Sequence, residues 1–103
     1  SLQGHIELGS APDNISVNSD GTVWVAAHAK VLALIQHFGD ATKLAPTQVF
    51  RITVGEDVAA AKVEQVYLNL GEEISAGSVG TVFERQLLIG SITERKLLRC
   101  RLP

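Results

Sequence analysis

The sequence predicts a mainly β, antiparallel fold of about two four-stranded units with one short helix near residues 29–38. Three observations carry that expectation. Apolar and polar residues alternate with period two through short runs rich in β-branched and aromatic side chains. Turn-forming residues interrupt those runs about every ten residues. A single segment abandons the alternation for apolar spacings of three and four.

Taken in order, Ile15 and Val17 alternate with Ser16 and Asn18, Ser19-Asp20-Gly21 supplies a turn, and Thr22-Val23-Trp24-Val25-Ala26 continues as the return strand of a hairpin. From Ala29 to Phe38, Lys30, Gln36 and His37 are set among Val31, Leu32, Leu34, Ile35 and Phe38, the pattern of a short amphipathic helix whose polar side would carry His37 to the surface. Asp40 to Pro46 reads as a connector closed by the proline. Gln48–Val54 and Lys62–Leu68 follow as strands joined across Gly55-Glu56-Asp57. Ser78–Phe83, Gln86–Ile92 and Lys96–Leu102 complete the set, separated by the charged turns Glu84-Arg85 and Thr93-Glu94-Arg95.

The composition bounds the function. At 103 residues and 46% hydrophobic content the chain is one small domain with enough apolar side chains to build a core. No uninterrupted apolar run exceeds five residues, so a spanning helix is not expected, and the leading residues show no secretory signal, which leaves the compartment open. A net charge of −2 argues against a nucleic-acid partner, which calls for a basic excess. The charge is uneven: Arg85, Arg95, Lys96, Arg99 and Arg101 face only Glu94 in the last 19 residues. That cluster reads as a solvated edge strand, with a docking patch as the second reading. Cys100 is the sole cysteine, so the chain contains neither an internal disulfide nor a cysteine-based zinc site, and a small buried apolar residue is the plain reading.

Strands at this spacing suit a sandwich, a barrel or a propeller. Residues 14–54 and 62–102 are each the length of a propeller blade, about 40–50 residues. Two blades close no ring, since propellers need about 4–8. Such a chain is a portion of a larger ring or completes one with further copies of itself.

The stretch Ala11-Pro12-Asp13-Asn14-Ile15-Ser16-Val17, followed by Asp20-Gly21-Thr22-Val23-Trp24-Val25-Ala26-Ala27-His28, resembles the last third of the paraoxonases and arylesterases. Gln48–Ile52, Val63–Tyr67, Gly77-Ser78-Val79, Leu87–Gly90 and Leu97–Cys100 occur in that family's order and spacing. The resemblance implies a six-bladed, Ca²⁺-dependent β-propeller that hydrolyses esters and lactones. The present chain would supply its C-terminal portion and be inactive as an isolated monomer. It also implies that Cys100 matches a cysteine bonded near the N-terminus in animal members. Ala27, where those members carry a free cysteine, and Glu94 depart from the pattern.

Residue by residue, the resemblance makes Asp13 and Asn14 calcium ligands, His28 a pocket histidine with an auxiliary acid–base role, and a small ester or lactone the substrate. On the residues alone, Asp13-Asn14 is a turn entering a strand and His28 a structural histidine. Oxygen donors of this kind suit calcium, but neighbours on a strand face opposite ways, so the pair reaches one ion only where the backbone bends. His5 and His37 are expected at the surface and Trp24 as a core anchor. The alternative to an enzyme is a non-catalytic propeller remnant serving as a binding or self-assembly module, with a homo-oligomer completing the ring.

Overall fold

The computed structural model describes residues 4–103. Seven strands and one helix follow in the order β1 (Ala11–Val17), β2 (Val23–His28), α1 (Val31–Gly39), β3 (Thr47–Thr53), β4 (Lys62–Asn69), β5 (Gly77–Phe83), β6 (Gln86–Ser91) and β7 (Leu97–Arg101). They form two antiparallel sheets, β1-β2-β3-β4 and β5-β6-β7, and no closed barrel is made among the described residues. The fold is mainly β with one helix, as expected. The division between units differs: β4 pairs with β3 and completes the first sheet, so the boundary lies between residues 69 and 77 rather than between 54 and 62. The reason is local, since a short connection over residues 54–61 favours pairing of its two flanking strands. The second sheet therefore has three strands.

The β1–β2 turn is held by its own chemistry. The Asp20 carboxylate accepts from both the amide and the hydroxyl of Thr22, at 2.9 and 2.6 Å, while Gly21 takes the left-handed φ of 88° that the turn requires. Between the sheets lies one core cluster of Trp24, Val49, Ile74, Leu87 and Ile89, against which Tyr67, Val82, Leu98 and Cys100 pack. Trp24 is thus a core anchor. β5 packs against β1, β2 and β3, and its glycines make the close approach to β3 possible. A Cβ on Gly77 would overlap the Thr47 methyl, and one on Gly80 would come within 2.9 Å of Val49.

The linker between the sheets is buried and satisfied by side chains. Thr47 donates its hydroxyl to the Ile74 carbonyl and accepts from the Gly77 amide. The Ser75 hydroxyl donates to Gly71 O and accepts from Ala45 N; its own amide donates to Glu94 and its carbonyl accepts from Ser91. Glu94, which departs from the family pattern, therefore has a structural task here, and it also lies 3.8 Å from Lys96.

The helix corrects two expectations. It spans 31–39 because Lys30 adopts an extended N-cap conformation, and the Asp40 amide closes it by donating to Gln36 O. His37, expected on the surface, is buried. Its Nδ1 donates to the Lys43 carbonyl at 2.8 Å and its Nε2 lies 2.7 Å from the Thr93 hydroxyl, so both polar atoms of the ring are satisfied inside. His5, as expected, is exposed, 3.5 Å from Glu7.

Candidate functional site

The site is built at the open end of the β1–β2 hairpin. Pro12 stands opposite Ala27 and Ile15 opposite Val25, so two residues of β1, Asp13 and Asn14, face one residue of β2. This is a β-bulge, and it supplies the bend that an adjacent pair of ligands requires. Pro12 fits such a position because it has no N–H to give to the ladder.

The bulge directs its two residues to different partners. Asp13 Oδ2 lies 3.0 Å from His28 Nε2 at the end of β2. The Asn14 amide donates from Nδ2 to the Ser78 carbonyl on β5 at 2.9 Å, which ties the bulge to the second sheet. Two residues along, the hydroxyls of Ser16 and Thr81 meet at 2.8 Å and repeat that tie. Asp13 and His28 are brought together, while Asn14 is fixed beside them by the neighbouring sheet.

His28 is buried, its side chain only 8% exposed, and its Nδ1 has no hydrogen-bond partner. A carboxylate accepts and does not donate, so the Asp13 contact assigns the ring proton to Nε2 and leaves the Nδ1 lone pair free. A buried acceptor of this kind calls for a donor such as water or a hydroxyl. His28 also lines a cavity of about 440 Å³, together with Ile6, Leu8, Ser10, Pro12 and Val31 among others. The Ser10 hydroxyl donates to Gln48, whose amide donates on to Gln65, so the wall of this cavity is anchored across β3 and β4. A larger cavity of about 860 Å³ opens at the opposite, turn end of β2. There Arg51 is engaged by Glu64 at 2.9 Å and lies over the Trp24 ring, a packing arrangement.

As a calcium donor set, the residues fit in kind. Asp13 commits one oxygen to His28 and keeps the other, and Asn14 commits its nitrogen to Ser78 and keeps its amide oxygen. Both free atoms are hard oxygen donors of the sort calcium takes, in number about 6–8. No group of three or more His, Cys, Asp or Glu side chains gathers among the described residues. The sequence marks Asp13 and Asn14 as a pair and His28 separately, and does not reveal the Asp13–His28 contact or the Gln48 relay. The signal for the first was the hairpin itself, which sets Ala11 opposite His28.

Compared with known proteins, residues 2–102 match the family model described as Arylesterase. The chain belongs to the arylesterase family. Among curated arylesterase relatives it is 32% identical over 95 residues to serum paraoxonase/arylesterase 2 of Rattus norvegicus and, over the same length, 32% identical to that of Homo sapiens. Each comparison covers 89% of this chain and 25% of the relative. It is also 32% identical over 97 residues to mechanosensory abnormality protein 6 of Caenorhabditis elegans, covering 90% of this chain and 26% of that protein. The chain therefore spans about a quarter of the length of the arylesterase relatives it matches, less than the third expected from its motifs.

Proposed function

We propose that the chain is a portion of a calcium-dependent, propeller-type hydrolase of esters or lactones, and that it supplies part of the active site. The observation that supports this most is His28, whose Nε2 is held by Asp13, whose Nδ1 is buried without a partner, and which lines a cavity. Asp13 fixes the imidazole tautomer and orientation. With Nε2 carrying the proton, Nδ1 is available to take one from a water molecule attacking a carbonyl. Ile6, Leu8, Pro12 and Val31 give the cavity an apolar side against which an ester or lactone could rest. Asp13 and Asn14 would hold calcium through their remaining oxygens; when bound, the ion polarises the carbonyl and stabilises the negative oxygen that develops.

The test is phenyl acetate hydrolysis by a polypeptide of full arylesterase length that carries this chain. His28→Gln, which keeps the size but removes the basic nitrogen, is expected to lower kcat by about 10²–10⁴. Unchanged turnover would remove His28 from the chemistry. The isolated 103-residue chain, with two donors, is expected to show little or none.

A second reading, a non-catalytic module that assembles with its own copies, is favoured by the outer faces of the two sheets. Ile15 and Val17 alternate with Ser16, and Phe83 and Leu97 flank core-facing Val82 and Leu98; all four are exposed. Head-to-tail contact between those faces would close a ring and remove its raw edges. Light scattering of the isolated chain decides it: this reading expects a discrete species of several chain masses, and a monodisperse single-chain species with a cooperative melt rejects it.

A further inference from the structure

The larger cavity, at the turn end of β2, is a groove between the two sheets whose sides differ in chemistry. Its volume of about 860 Å³ is that of a small-ligand site. Asn18, Asp20, Arg51 and Thr53 line it from the first sheet and its turn, Phe83 and Leu102 from the second. One side is therefore polar and the other apolar, with Phe83 exposed.

The polar side is held in place and only partly used. Arg51 lies over the Trp24 ring and gives Nε and Nη2 to the Glu64 carboxylate at 3.3 and 2.9 Å, so its plane is fixed while Nη1 has no partner among the described residues. Asp20 accepts both bonds from Thr22 on Oδ1 and keeps Oδ2. The bonds from Thr22 hold the Asp20 carboxyl, and the Arg51 guanidinium holds that of Glu64, below the usual carboxylate range, so both are ionised acceptors at neutral pH. The Asn18 amide and Thr53 hydroxyl make no side-chain hydrogen bond among the described residues. At the rim, Glu84 and Arg85 keep left-handed φ values of 48° and 64° in a turn that Asn-Gly would fit without strain. Strain of this kind is retained where side chains have a task.

The charges decide what the groove takes. Asp20, Glu64 and Glu84 line it together with Arg51 and Arg85, so an anion meets the carboxylates and a cation the guanidinium groups. A wholly apolar ligand would strip water from the polar side and leave its groups unpaired. A neutral saccharide avoids these penalties, because its hydroxyls donate and accept while its C–H face can lie on an apolar or aromatic surface.

We propose that this groove binds a neutral saccharide, its hydroxyls engaged by Asn18, Asp20, Arg51 and Thr53 and its apolar face resting on Phe83 and Leu102. The groove lies at the end of β2 opposite His28, and the inference does not depend on the hydrolase reading.

Trp24, the sole tryptophan of the chain, lines the groove, so its fluorescence reports occupancy. Titration with maltose, cellobiose and lactose is expected to give a saturable change with at least one of them. Digalacturonate, an anion, and diglucosamine, a cation, should bind about tenfold or more weakly at matched ionic strength. Asn18→Ala, Phe83→Ala and the pair Glu84→Asn with Arg85→Gly should each weaken binding about fivefold or more, whereas His28→Gln should leave it unchanged. Thr53→Ala, at an exposed position, serves if one of these variants does not fold. No saturable change with any of the three neutral sugars, tighter binding of either charged one, wild-type affinity in the groove variants, or loss of binding in His28→Gln would each overturn the proposal.

Discussion

Asp13 and His28 show how little separates a structural pair from a reactive one. Their contact satisfies one ring nitrogen, and burial of the other without a partner gives the pair its chemical interest. The residue types were legible in the sequence, as was the need for a bend at Asp13-Asn14. The contact was not, because it depends on a bulge that no alternation pattern reveals. His37 is the converse case: a polar residue on the presumed polar side of a helix is normally outside, and only the Lys43 carbonyl and Thr93 hydroxyl, the latter 56 residues away, make its burial favourable. A further pair sits where β4 meets the core. The Tyr67 hydroxyl donates to Glu73 at 2.7 Å, and burial, then that bond, push its pKa above the ordinary value near 10. Burial first, then the Glu73 charge, raises the Cys100 thiol as well. For both, the native state holds its proton where the unfolded chain loses it, so their contribution is complete below the unfolded pKa values and declines as pH rises through about 9–10. The melting temperature should therefore fall between pH 8 and pH 10.5, and Tyr67→Phe with Cys100→Ser should flatten that fall; an unchanged slope would show that other groups set the alkaline limit.

At the level of elements, strand identities followed from period-two alternation; every predicted strand exists, within about two residues of its observed ends except β1, which starts at Ala11, four residues before the predicted Ile15. Pairing was less legible, because alternation says which side chains share a face and nothing about which sheet a strand joins. The β5–β6 hairpin illustrates a local conflict the fold tolerates. Phe83 pairs with Gln86, so Glu84 and Arg85 alone form the turn, at φ of 48° and 64°. Left-handed conformation at two non-glycine residues costs roughly 1–2 kcal/mol each. Such two-residue turns prefer Asn-Gly. Replacing the pair, Glu84→Asn with Arg85→Gly, is expected to raise the melting temperature by several degrees, since about 1 kcal/mol corresponds to roughly 4–8 °C in a domain of this size. A lower melting temperature would mean that the charged side chains contribute more than the backbone strain removes.

The whole molecule is two sheets joined by a buried linker, sharing one core and leaving an apolar face outward on each side. The presence of two antiparallel units follows from strand count and blade-length arithmetic. The depth of the linker does not, because Ile74, Ser75 and Ala76 carry no periodic signal and are held by polar bonds made from three segments, around Ala45, Gly71 and Ser91–Glu94. Asn14 and Ser16 each bond across from β1 to β5, so the candidate site belongs to the junction of the sheets and is part of what holds them in register. Calcium held by Asp13 and Asn14 would stabilise the folded chain by mass action, weakly with two donors and hence at millimolar concentrations. The direct measurement is the thermal melt of the chain in millimolar CaCl₂ and in chelator, for wild type and Asp13→Ala. A rise of a few degrees with calcium that disappears in Asp13→Ala is the expected result; no rise in the wild type, or one that survives in the variant, would contradict the assignment of this bulge to calcium.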